Sequence, residues 1–142
     1  MPTLSQPLNS AVLRLSGSDE ALDELVLKLK LKVNTRHSFG DAGRRGLPYA
    51  ASGLNASIAD GIKPEAMIAE LRTFLETCLA FGSTLFTNVN AEVSLGVSVG
   101  DDDQFMVSVD LSVTDLRDLA TLGLTLNLTA YPEWNPESGR SS

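Results

Sequence analysis

His37 is the sole histidine of the chain, the residue type most often used for general acid–base chemistry. It stands in Asn34–Pro48, NTRHSFGDAGRRGLP, beside Arg36 and upstream of Arg44 and Arg45. A catalytic imidazole needs a substrate proton within hydrogen-bond reach and a carboxylate to orient the ring. Asp41 and Asp60 are the available orienters, but nothing in the sequence brings either to His37. It therefore reads as a loop histidine without a catalytic role. Ser38 beside it does not make a triad, which is defined by spatial geometry and not by adjacency in sequence.

The same stretch carries glycines at 40, 43 and 46 around Arg44 and Arg45. Backbone N–H groups of a glycine-rich turn and guanidinium forks both suit phosphate or carboxylate. Neither a P-loop step nor a dinucleotide fingerprint is present. Arg36, His37, Arg44 and Arg45 are thus the candidate small-anion site, against the plainer reading of a solvent-exposed loop.

Other chemistry is thinner. Cys78 stands alone, so the chain can form no internal disulfide, and a metal site of paired thiolates is excluded. It falls on the apolar face of an expected helix, as a core thiol does. Asp101, Asp102 and Asp103 lack the alternating ligand pattern of a calcium loop and read as a solubilising turn. Asp110, Asp115 and Asp118 are expected at a helix start and on its outer face, and no acid pair can be assigned to them. No metal and no cofactor is expected.

The 18 acidic residues exceed the 11 basic ones, for a net charge of −7. That argues against tracking nucleic-acid phosphates, which takes clustered Lys and Arg. The cations concentrate at Lys28, Lys30, Lys32, Arg36, Arg44 and Arg45, leaving the rest acidic. An acidic surface of Glu92, Asp101, Asp102, Asp103, Asp110, Asp115 and Asp118 can face a basic protein partner. No apolar run approaches the ~20 residues needed to cross a bilayer, and the first ten residues lack a signal-peptide pattern. A cytoplasmic protein is expected.

The elements that must position these residues follow from periodicity. Residues 1–10 read as a flexible leader, 11–131 as one domain and 132–142 as a flexible tail. Ala11–Ser16 alternates as a strand. Ser18 caps a helix with acidic first turns and an apolar face of Leu22, Leu25, Val26 and Leu29. The chain then exits into an extended segment and the Asn34–Pro48 loop. Tyr49–Ile58 is expected as a strand and Asp60-Gly61 as a turn. Pro64 opens a long helix with Ile68, Leu71, Leu75, Cys78 and Leu79 inward, stopped by Gly82. Val93, Leu95, Val97 and Val99 and then Phe105, Val107, Val109 and Leu111 predict a hairpin joined at Gly100–Gln104. Thr114 or Ser112 caps a short helix with Leu116, Leu119 and Ala120 inward, ended by Gly123. Leu124, Leu126, Leu128 and Ala130 mark the last strand.

This order predicts an α+β fold: an antiparallel or mixed sheet with helices packed on one face, ferredoxin-like. The likeness of SVTDLRDLATLGLTLNL to SGSDEALDELVLKLKLKV suggests two related halves.

The opening AVLRLSGSDEALDELVLKL, the loop NTRHSFGDAG, the SGL step at Ser52–Leu54 and the closing LATLGLTLNLTAY together resemble a bacterial family catalogued as domain of unknown function 4279. The resemblance spans roughly residues 11–131. The chain departs from that pattern at Leu54, where tryptophan is usual, and at Asn34, where a proline precedes the threonine. The resemblance implies a small intracellular bacterial protein and no particular reaction.

The expected function is a non-enzymatic protein-binding module, in one form an immunity- or antitoxin-like protein that blocks a basic effector. The alternative is a small anionic-ligand sensor or cryptic enzyme using the Arg36–Arg45 loop. A homo-oligomer built on a strand edge, or on Tyr131 and Trp134, is the third reading.

Overall fold

Alternation of buried and outward side chains opens the fold. Asn9, Ala11, Leu13 and Leu15 are buried and Ser10, Val12 and Arg14 turn outward along β1 (Asn9–Gly17). The computed structural model describes residues 9–43, 46–100 and 106–132. The expected leader and tail fall almost wholly outside them, as do Arg44, Arg45, Asp101, Asp102, Asp103, Phe105 and Trp134. Asn9 and Ser10 are an exception, since they belong to the sheet. The Asn9 side chain is fully buried, and its amide donates to the carbonyls of Gly61 (3.2 Å) and Ile62 (3.0 Å).

After β1 come α1 (Asp19–Leu29), β2 (Lys32–His37), β3 (Ser52–Gly61), α2 (Pro64–Phe81), β4 (Asn90–Val99), α3 (Val113–Leu122) and β5 (Thr125–Pro132). The strand order is β2-β3-β1-β4-β5. Neighbours among the first four are antiparallel, and β5 runs parallel to β4. The first six elements thus form a β-α-β-β-α-β unit of ferredoxin-like order, and α3 with β5 extends it by one parallel crossover. The related halves suggested by the sequence come down to one matching unit at each end. Each has a serine N-cap (Ser18, Ser112), a short helix, a left-handed C-cap (Lys30, Gly123) and an edge strand.

All three helices pack on one face of the sheet. Leu22 and Leu25 of α1, Met67, Ile68, Leu71, Leu75 and Cys78 of α2, and Leu119 and Leu122 of α3 share one core with Leu13, Leu15, Val93 and Leu95. Burying an aliphatic side chain of this size contributes about 1.5–3 kcal/mol, so this core outweighs any surface contact described below. Pro64 at the start of α2 costs nothing there, since its missing N–H would have no helical partner. No described helix is long and apolar enough to cross a membrane.

Several expectations are corrected. Asn34–His37 is strand and not loop, because β3 supplies an antiparallel partner that no local pattern announces. The next strand begins at Ser52, three residues after Tyr49, and runs through Asp60-Gly61 without turning. The second arm of the expected hairpin forms no strand over 106–111. Both edges of β4 are occupied by β1 and β5, so Val107, Val109 and Leu111 pack against the core without pairing. In α3 the inward set is Asp115, Leu119 and Leu122, while Leu116 is half exposed. Leu128 on the edge strand β5 is also exposed.

Candidate binding site

Period-two geometry decides where the two loop residues go. Arg36 pairs with Leu54 across β2–β3, and Leu54 belongs to the core face. His37 pairs with Gly53, so its ring lies on the opposite, open face. Adjacent in sequence, the two side chains are separated by the sheet.

On the helix side Arg36 is already engaged. Its Nη1 lies 2.7 Å from Asp23 Oδ1, and its Nη2 lies 3.6 Å from Asp19 Oδ1 and donates to the Asp19 carbonyl at 3.4 Å. The guanidinium ties β2 to the first turns of α1 and is not free for an anion. Arg44 and Arg45 lie outside the described residues, so of the candidate anion site only the placement of Arg36 and His37, on opposite faces of the sheet, is described.

On the open face His37 stacks on Tyr49, with ring centroids 3.6 Å apart and planes 14° apart. The imidazole lies over Gly53, where an added Cβ would meet its Cε1 at 2.8 Å and its Nε2 at 3.0 Å. Only glycine lets the ring sit that close to the strand. Neither expected orienter reaches it. Asp41 Oδ2 accepts from the Ser38 N–H at 2.8 Å, and Asp60 is seven residues along β3 from Gly53, roughly 23 Å away. Among the described residues His37 has a stacking partner and no carboxylate partner.

The segment that follows is ordered by its own hydrogen bonds. Phe39 N–H donates to Ser52 Oγ (2.8 Å), Gly40 N–H to the Tyr49 carbonyl (3.1 Å) and Tyr49 N–H to the Asp41 carbonyl (2.9 Å). Gly43 N–H donates to the Leu47 carbonyl at 2.7 Å, and Ala42 bridges Pro48 in antiparallel fashion. The described part of the expected glycine-rich loop, on either side of Arg44 and Arg45, is therefore a small hairpin-like projection. It holds Phe39 72% exposed and Leu47 69% exposed, with Tyr49 at 37% beside the His37 ring. An ordered loop that keeps aromatic and aliphatic side chains in water has the composition of a contact surface.

Among the described residues the acidic candidates do not share a surface. Glu92 is on the open face of β4, paired with Arg14. Asp118 lies within α3 and is half-buried, while Asp110 precedes the helix, is exposed and lines a shallow hollow with Glu65, Ile68 and Arg72. Asp115 is a correction: it is buried at 3% exposure and its carboxylate is taken up by Arg72 and the Ser112 N–H. Those hydrogen bonds, from Arg72 first, hold it below the usual carboxylate range, and the same contact raises Arg72 above its own. Asp115 fastens α3 to α2 and offers nothing to a partner.

Sequence reasoning missed Tyr49 as the ring partner of His37, Ser52 as the clamp on Phe39, and Arg14. The first two lie 12 and 13 residues from the groups they hold, with no shared local pattern. Cys78 is fully buried, as expected, and burial pushes its thiol up to about 12. Among the described residues no group of His, Cys, Asp and Glu is placed to hold a metal ion. Compared with protein-family models, curated proteins and solved structures, the chain matches none of them.

Proposed function

We propose that this is a non-enzymatic binding protein that engages another protein through the Ser38–Ser52 projection. The supporting observation is the exposure of Phe39 and Leu47 on a loop fixed at both ends by hydrogen bonds. Holding apolar side chains in water gains nothing for folding, whereas burying them against a partner gives affinity. Pre-ordering lowers the entropy lost on docking. The net charge of −7 suits a basic partner, since long-range attraction speeds encounter while the loop supplies the short-range contact. An immunity- or antitoxin-like protein that blocks a basic effector is the most specific form of this reading. Kinship with domain of unknown function 4279 and a cytoplasmic location belong to the same proposal.

The test compares the wild-type chain with a Phe39→Ser, Leu47→Ser double variant as bait for proteins from the source cell. Both side chains are exposed, so the variant keeps its thermal midpoint. A partner retained by the wild type in stoichiometric amount and lost from the variant supports the reading. A partner held equally by both overturns the role of the loop.

A further inference from the structure

The open face of the sheet carries a second feature, independent of the loop. Arg14 on β1 and Glu92 on β4 are direct cross-strand partners, and Glu92 is in turn opposite Thr125 on β5. Arg14 Nη1 stands 3.9 Å from Glu92 Oε2, an ion pair too long to be a hydrogen bond. Neither side chain has another partner among the described residues. A guanidinium with five donors and a carboxylate with two acceptor oxygens thus stand side by side, nearly uncommitted. They line a hollow of about 310 Å³ to which Ser16, Asn90 and Thr125 add hydroxyl and amide groups, and Val89, Ala91 and Gly123 the remaining wall.

We propose that this hollow binds a small zwitterion of the α-amino-acid type. The carboxylate would take the Arg14 fork and the ammonium the Glu92 oxygens, so that four charges alternate around a square. Ser16, Asn90 and Thr125 supply the remaining hydrogen bonds. Opening the Arg14–Glu92 contact costs little, because an exposed ion pair contributes at most about 1 kcal/mol. Net charge favours a zwitterion over a simple anion: a chain at −7 repels anions at long range and is indifferent to a neutral dipole. The lining offers apolar contact only at Val89 and Ala91, too little for a long apolar side chain, which points to small amino acids.

The test is a titration of the full ¹⁵N-labelled chain with L-alanine, L-serine and L-glutamine, followed by amide chemical shifts. Propionate and ethylamine serve as probes with only one of the two charges. Saturable shifts at Arg14, Asn90, Glu92 and Thr125 with an amino acid, and weaker ones with either single-charge probe, support the site. Arg14→Gln and Glu92→Gln should each weaken binding about tenfold or more, since each removes a charge-assisted hydrogen bond. Absence of saturable shifts in the wild-type chain overturns the proposal, as does equal binding of propionate. Binding unchanged in both variants overturns it too. Because the wild-type titration decides first, the outcome does not depend on the variants folding.

Discussion

The Arg72 guanidinium closes on both oxygens of Asp115, Nε donating to Oδ1 at 2.9 Å and Nη2 to Oδ2 at 2.8 Å. Asp115 sits at the third position of α3, where Ser112 Oγ accepts from its N–H while its own Oδ2 accepts from the Ser112 N–H. One carboxylate therefore completes a capping box and fastens two helices. Its pKa in the folded chain is lowered, chiefly by the Arg72 hydrogen bonds. The stability it contributes is thus fully present above the unfolded value of about 3.9 and is lost as pH falls through the folded value. Asp115→Asn should be less stable than the wild type at pH 7, with the gap narrowing below about pH 4. Urea unfolding at several pH values measures it, and a gap that is constant with pH would contradict the assignment. Ser112→Ala, which removes the other half of the box, should cost about 1 kcal/mol.

Gly53 and His37 are coupled through space. A methyl group at position 53 would press on the His37 ring at 2.8 Å and stand 3.1 Å from the Leu15 carbonyl. The ring can swing away only by leaving Tyr49, with which it stacks. Gly53→Ala should therefore destabilise by about 1–3 kcal/mol, as overpacking does. In a His37→Ala background the same change should cost less, the residue being the contact with the backbone oxygen. A double-mutant cycle reads the difference. Additive costs would show that the ring is not held where the structure places it.

Lys30 is the only described non-glycine residue with a positive φ, at 52°. It ends α1 in the left-handed conformation, and its N–H donates to the Val26 carbonyl. That conformation costs an L-residue roughly 1–2 kcal/mol and a glycine almost nothing, although glycine gives back part of the gain in the unfolded chain. Lys30→Gly should raise stability by about 0.5–1 kcal/mol, or about 2–4 °C in Tm at this size. A Tm unchanged or lowered would mean the lysine side chain makes up the difference elsewhere.

Lys30 also shows where the sequence was legible and where it was not. Over Leu27–Val33 the pattern fits helix and strand equally, because apolar residues alternate with Lys28, Lys30 and Lys32. The structure resolves it by reversing the chain at Lys30, so the same alternation serves α1 before it and β2 after it. Caps, prolines and apolar stripes are local signals, and Ser18, Ser112, Pro64 and Gly123 all stand where those signals place them. Pairing is not local. That β4 would take β5 as its second neighbour, and not the Val107–Leu111 segment, depends on competition for one strand edge. The candidate sites depend on pairing still more: the separation of Arg36 from His37, and the meeting of Arg14 with Glu92, are properties of register between strands.

Cys78 provides an independent probe of the core. Its side chain has no exposed surface, lies between α2 and the sheet, and has a thiol pushed up to about 12 by burial. The thiolate is the reactive form, so both access and ionisation oppose reaction in the native state. A disulfide reagent at pH 8 should label the native chain only as fast as it opens, and label it at once in denaturant. Cys78→Ala should be tolerated at modest cost, since the site loses one atom of apolar volume. Cys78→Ser should cost more, about 1–3 kcal/mol, because it places a hydroxyl where packing is apolar. Fast labelling under native conditions would mean that α2 opens on its own, and the helical layer would then be less tightly fixed to the sheet than its buried face requires.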